Sequence, residues 1–166
     1  MCGNGLRCVG YLLSFLQNKK EIIVYIDKAK YLLKKDVNEN IIVKVSSISK
    51  KDDFIYLGNK HLVLYGQYFT NNHKLISKKK KCNIHLINYI SRNKFKIKTY
   101  EYGVGHTTCC GSGILAAFYY LLMENKVNNE VSVITDGGIV YCYYKDNEFY
   151  LKGKVNLVSK GEYYGI

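Results

Sequence analysis

Cys110-Gly111-Ser112-Gly113-Ile114-Leu115-Ala116-Ala117 and, 108 residues earlier, Cys2-Gly3-Asn4-Gly5-Leu6-Arg7 carry one pattern: a cysteine, a Gly-[Ser/Asn]-Gly turn and an apolar run. The correspondence extends to Tyr11 with Tyr119 and Leu13 with Leu121. Such a turn followed by apolar residues at helical spacing predicts a helix at each place, over residues 6–17 and 114–125. Between them, β-branched and aromatic runs predict strands at 21–27, 30–33, 41–46, 54–57, 61–65, 83–88 and 94–100. Three more follow the second helix, at 130–134, 139–145 and 148–152, separated by Asp136-Gly137-Gly138 and Asp146-Asn147, which read as hairpin turns. The order helix, strands, helix, strands predicts an α+β fold whose second half resembles its first, with a seam in the charged stretch 46–53.

The 166 residues, 48% of them apolar, suffice for one core or two small ones. The longest apolar runs, 114–123 and 12–16, are too short to cross a bilayer and lack the flanks of a secretory signal, so a cytoplasmic protein with no membrane partner is expected. The net charge of +12 raises nucleic acid as a partner. Yet only Arg7 and Arg92 are arginines, and the lysines lie scattered among Asn, Ile and Tyr in a chain without Pro or Trp. That is the usage of AT-rich coding, and even the run 78–81 reads as a solvated face rather than a nucleic-acid footprint. Six cysteines at 2, 8, 82, 109, 110 and 142 form no C-x-x-C pair and have no histidine at zinc-ligand spacing; free thiols and no metal are expected.

A helix start leaves backbone N–H groups unpaired, and its dipole attracts anions, so Gly3-Asn4-Gly5 and Gly111-Ser112-Gly113 can each hold a carboxylate or phosphate. A cysteine at such a position is in a setting that lowers a thiol pKa from about 8.5 toward neutrality. Two of these helices face to face would aim two thiols at one anionic ligand. That suits proton transfer at a carbon beside a carboxylate, one sulfur removing the proton from one face while the other returns one from the opposite face.

These residues resemble a known family. Residues 2–8, Cys-Gly-Asn-Gly-Leu-Arg-Cys, closely resemble the first active-site motif of the diaminopimelate epimerases, and residues 100–117 resemble the second. Residues 57–64 (Leu-Gly-Asn-Lys-His-Leu-Val-Leu) are similar to the family's Gly-Asn-Pro-His-x-Val segment, and residues 81–90 to its Val-Asn-[Val/Ile]-x-Phe segment. The resemblance covers the chain from Cys2 onward. It implies two similar lobes, each a mixed or antiparallel sheet wrapped around a central helix, with the site in the cleft between them. The expected division is a first, incomplete lobe over 1–47, completed by 158–166, and a second lobe over 48–157. The family carries further strands ahead of the first motif, so a truncated start at Met1 is expected.

The resemblance implies LL- to meso-diaminopimelate epimerisation in lysine biosynthesis, with no pyridoxal phosphate or other cofactor, a small-molecule substrate, and a homodimer as one allowed assembly. By position, Cys2 and Cys110 would be the acid/base pair, and Gly3, Asn4, Gly111 and Ser112 would supply donors to the reacting carboxylate. Asn59 and Asn83 would reach the far end of the substrate, and Glu101 would bind its ammonium and, with His61, orient the thiols. Tyr102 stands where the family has an arginine, so a bidentate grip on the distal carboxylate is lost. His106 and Lys60, in place of a glutamate and a proline, would make the cleft more positive. A proline-racemase-like enzyme of the same fold, a catalytically decayed binding module and a basic RNA-binding protein are the alternatives. An open first lobe would expose strand edges and favour aggregation.

Overall fold

The computed structural model describes residues 2–27, 29–45, 47–162 and 164–165. Met1, the Ser46 end of the third expected strand, and Tyr163 and Ile166 of the tail lie outside the described residues. In chain order the elements are α1 (Gly3–Gln17), β1 (Glu21–Ile26), β2 (Ala29–Lys35), β3 (Ile41–Val45), β4 (Ser49–Lys51), β5 (Phe54–Leu57), β6 (Asn59–Tyr65) and α2 (Asn71–Lys80). They continue with β7 (Asn83–Ser91), β8 (Lys94–Glu101), β9 (Gly105–Thr107), α3 (Gly111–Met123), β10 (Glu130–Thr135), β11 (Gly138–Lys145) and β12 (Glu148–Gly153). All ten expected strands and both expected helices form. The helices start three residues earlier than expected because the Gly-rich turns are themselves their first turns.

The strands make one mixed sheet in the order β1-β2-β3-β12-β11-β10-β8-β7-β6-β5-β4, with β9 paired to β8. Two neighbouring pairs are parallel, β6 with β7 and β8 with β10, and a parallel pair needs a crossover. The helix α2 supplies the first and α3 the second. The first of these crossover helices is absent from the expectation above. Its sequence is polar and lysine-rich, and it buries only Ser77, so no apolar period announces it. Local signals do exist: Thr70 and His73 form a capping box, with the Thr70 N–H donating to His73 Nδ1 at 3.0 Å, and three lysines end the helix, where its dipole is negative.

The two helices that begin at the repeated motif differ in how they are covered. The sheet curves about α3, which buries Ile114, Leu115, Ala116, Ala117, Phe118 and Leu121 against Phe95, Ile97, Val133 and Leu151. By contrast α1 buries one stripe, Gly3, Leu6, Arg7, Gly10 and Ser14, with Gly10 seated on Leu33 and Ile41. Its opposite face leaves Val9, Leu12, Phe15 and Leu16 exposed. The helix ends at Asn18 in the left-handed conformation, whose N–H is taken by Phe15 and Ser14 carbonyls.

Strand β7 has both faces covered at its start. Cys82, Ile84 and Leu86 pack with Phe69 and Ile76 on the α2 side, while Ile87 joins the main core. Alternation therefore sends Asn83 and His85 toward the α3 side.

Candidate active site

Each motif cysteine is the N-cap of its helix, with extended backbone, Cys2 at φ −111° and Cys110 at φ −122°. The two helix starts touch. A Cβ placed on Gly111 would stand 3.0 Å from the Gly3 Cα, and one on Gly3 would stand 3.2 Å from the Gly111 Cα. Only glycine permits this approach. The side chain of Asn4 ties the motifs together: its Nδ2 donates to the Cys109 carbonyl at 2.9 Å, and its Oδ1 accepts from Arg7 at 2.9 Å. Its amide is thus committed to the scaffold, and what Asn4 can still offer a carboxylate is its backbone N–H in the first helical turn. Gly111→Ala is expected to cost about 1–3 kcal/mol, since the new methyl meets backbone at Gly3 and the Leu151 side chain together. Chemical denaturation measures it, and a loss below about 0.5 kcal/mol would mean that the helix starts separate freely.

The two thiols sit in different environments. Cys2 is exposed, and its Sγ accepts from the Gly5 N–H at 3.3 Å. Cys110 is buried, 3.5 Å from Ser112 Oγ. The expectation of a lowered thiol pKa fails at Cys110. Burial pushes it up to about 12, the Glu101 carboxylate adds to the rise, and hydrogen bonds from Ser112 and the Gly113 N–H offset only part of it. Among the described residues all six cysteines are free, and no three His, Cys, Asp or Glu side chains gather to hold a metal.

One row across the sheet carries His61 on β6, paired with Asn83 on β7, with Glu101 on β8 at the next step of the same register. Residues paired this way present side chains on one face. Glu101 accepts from Thr107 Oγ1 at 2.7 Å, and Asn83 Oδ1 accepts from the Tyr102 N–H at 2.9 Å. A cavity of about 460 Å³ beside this row is lined by Asn59, Lys60, Lys81, Asn83, Glu101 and Tyr102, together with Gly58 and Val104. Ser112 is buried next to Cys110. A larger cavity of about 870 Å³ is bordered by Asn4, Arg7, Cys8, Cys109 and Lys152, and includes neither Cys110 nor Glu101.

Two expectations about charge in the cleft change. His106 pairs with Tyr100, one step out of phase with Glu101, and packs against Phe69 at 4.9 Å between ring centroids, on the α2 side. Lys60 borders the cavity, but its ammonium lies 3.9 Å over the Phe54 ring and donates to the Lys80 carbonyl. Lys81, which the sequence reading left out, is the second lysine on the cavity wall. His85, Thr99 and Thr107 are not among the expected site residues either, yet His85 meets Thr99 and Thr107 donates to Glu101. His85 sits two residues after Asn83, so strand alternation alone puts it on the same face.

Comparison with known proteins gives a consistent picture. Residues 38–158 match the family model of diaminopimelate epimerase. A diaminopimelate epimerase of Rickettsia akari is 26% identical over 195 residues, spanning 99% of this chain and 72% of the relative. One from Campylobacter jejuni subsp. doylei is 26% identical over 179 residues, spanning 98% and 72%. Among solved structures, a phenazine biosynthesis PhzC/PhzF protein from Clostridium difficile superposes with a TM-score of 0.73 at 16% identity, covering 99% of this chain and 73% of that one. A hydroxyproline epimerase from Agrobacterium vitis gives 0.61 at 10% identity, covering 93% and 63%. Both share the fold.

Proposed function

The chain belongs to the diaminopimelate epimerase family, and from that premise we propose that it interconverts LL- and meso-diaminopimelate, a step of lysine biosynthesis, with Cys2 and Cys110 as its acid/base pair. The observation that supports this reading most is the contact of two cysteine-capped helix starts at Gly3 and Gly111. A substrate α-carboxylate laid across that contact meets unpaired N–H groups of both helices, and its α-carbon lies between the two sulfurs.

Burial holds Cys110 as the thiol, so it is the acid, and the exposed Cys2 takes the part of base. As the Cα–H bond breaks, its proton passes to the Cys2 sulfur and the electron pair delocalises into the carboxylate, stabilised by the helix N–H groups. The Cys110 S–H proton then forms the new Cα–H bond on the opposite face, which leaves Cys110 as thiolate and Cys2 as thiol. The reverse reaction uses the same groups with roles exchanged. Glu101 receives the substrate ammonium, and the distal end extends into the cavity lined by Asn59, Asn83 and Tyr102.

The direct test is incorporation of solvent deuterium at the α-carbon of LL-diaminopimelate, together with formation of the meso isomer. Binding of the substrate without exchange would replace this reading with that of a decayed binding module. The cavity makes a further expectation concrete. Tyr102→Arg restores a fork able to hold the distal carboxylate and should lower KM about 10-fold with kcat nearly unchanged, since such a charged pair contributes about 1.5–3 kcal/mol. An unchanged KM would mean that the distal carboxylate does not lie beside residue 102.

A further inference from the structure

A second histidine stands directly behind His61. His85 is completely buried on β7, its Nε2 lies 2.9 Å from His61 Nδ1, and its Nδ1 lies 3.1 Å from Thr99 Oγ1 on β8. The two rings are held 5.1 Å apart between centroids and tilted by 34°. Behind His85 is Gly113, in the first turn of α3, where any Cβ would collide with the imidazole. The outer nitrogen of His61, Nε2, is buried and has no partner among the described residues. Three strands and a helix start thus converge on one polar chain, Thr99 to His85 to His61, that ends in a free nitrogen on the face carrying Asn83 and Glu101.

A neutral imidazole has one N–H, and only one hydrogen fits between His61 Nδ1 and His85 Nε2. The two tautomers are therefore locked in step. If His61 donates to His85, the His61 Nε2 is a bare acceptor and His85 donates to Thr99. If His85 donates to His61, the Thr99 hydroxyl donates to His85 and His61 Nε2 carries an N–H. Both rings stay uncharged because burial pushes their pKa values down, that of His61 to about 4. The outer end lies on the sheet face that carries Glu101 one register step beyond Asn83, and the proposed reaction brings a thiolate and a substrate carboxylate to that face. That favours the second arrangement, in which three donors align head to tail and polarise one another.

We propose that His85 is a positioning residue that, backed by Thr99, fixes the tautomer and ring orientation of His61 so that His61 presents an N–H at Nε2 to the reaction centre. The inference rests on the epimerase reading for what His61 serves, but its tautomer can be read without turnover.

The test is two-bond proton–nitrogen correlation on the full chain with 15N-labelled histidine, near pH 7.5. Both His61 and His85 should give the Nε2-protonated pattern. His85→Leu should lose that pattern at His61 and lower kcat about 10- to 100-fold with little change in KM. His85→Gln, whose amide N–H can still donate to His61 Nδ1, should recover both to within a few-fold. Thr99→Val, nearly isosteric, should keep the fold and weaken the pattern even if His85→Leu does not fold. An Nδ1-protonated His61 in the native chain, or an unchanged pattern in both His85→Leu and Thr99→Val, would overturn the proposal. If the native chain shows the expected pattern yet does not turn over diaminopimelate, the function reading has failed and the tautomer relay has not.

Discussion

Replacing Cys110 by alanine is expected to lower the interconversion of LL- and meso-diaminopimelate by at least about 10³-fold, within the range that a positioned acid or base contributes. In the proposed mechanism inversion needs a proton donor on the face opposite the base, and Cys110, which burial and its neighbour Glu101 keep as the thiol, is the residue proposed for it. Serine is too weak an acid to replace it, so Cys110→Ser should be nearly as impaired. The side chain lost is small, so the folded state should persist, and circular dichroism distinguishes lost chemistry from lost structure. The measurement is chromatographic resolution of the stereoisomers after incubation. A Cys110→Ala protein that keeps a rate within about 10-fold of the native chain would show that the proton comes from elsewhere.

Acid should unfold this protein more readily than its surface charge suggests. His61 titrates at 6.5 ordinarily and is pushed down to about 4 by burial; His85 shifts the same way. The unfolded chain therefore binds protons below pH 6.5 that the folded chain refuses until about pH 4. Stability is complete above pH 6.5 and falls as the pH drops through that window, by about 3 kcal/mol from His61 alone. Urea midpoints at pH 7.5, 5.5 and 4.5 measure it, and His61→Asn should flatten the dependence. Equal midpoints at pH 7.5 and 4.5 would mean that the histidine pair opens to water in the folded state. At the alkaline end the sign reverses. Cys110 is raised from 9.0 to about 12 and Cys142 is also raised, so stability is complete below pH 9 and is lost as the pH rises above it.

The face of α1 that carries Val9, Leu12, Phe15 and Leu16 is exposed, whereas the corresponding helix α3 is enclosed. In sequence the helices look equivalent, because each begins with the same cysteine and glycine turn. Past their glycine turns they diverge: α3 runs Ile114–Met123 without a charged residue, whereas Arg7, Ser14 and Gln17 interrupt the apolar run of α1, so the enclosure of α3 and the partial cover of α1 follow helix composition as well as strand order.

Local sequence determined the parts of this protein governed by short-range forces. Cysteine before Gly-x-Gly and a helical apolar period specify two helix starts with cysteine at the N-cap position, because turn chemistry and propensity act within one or two turns. Alternation specifies the faces of β6, β7 and β8, and so places Asn83 and His85 together. Tertiary structure alone decided the rest. Contact between Gly3 and Gly111 requires residues 108 apart in the chain to meet. The His61–His85 pair exists because the polar crossover α2 sets β6 parallel to β7 in one register. The charge state of Cys110 followed its burial rather than its helix terminus, since desolvation depends on every atom packed around the sulfur and no local pattern records those.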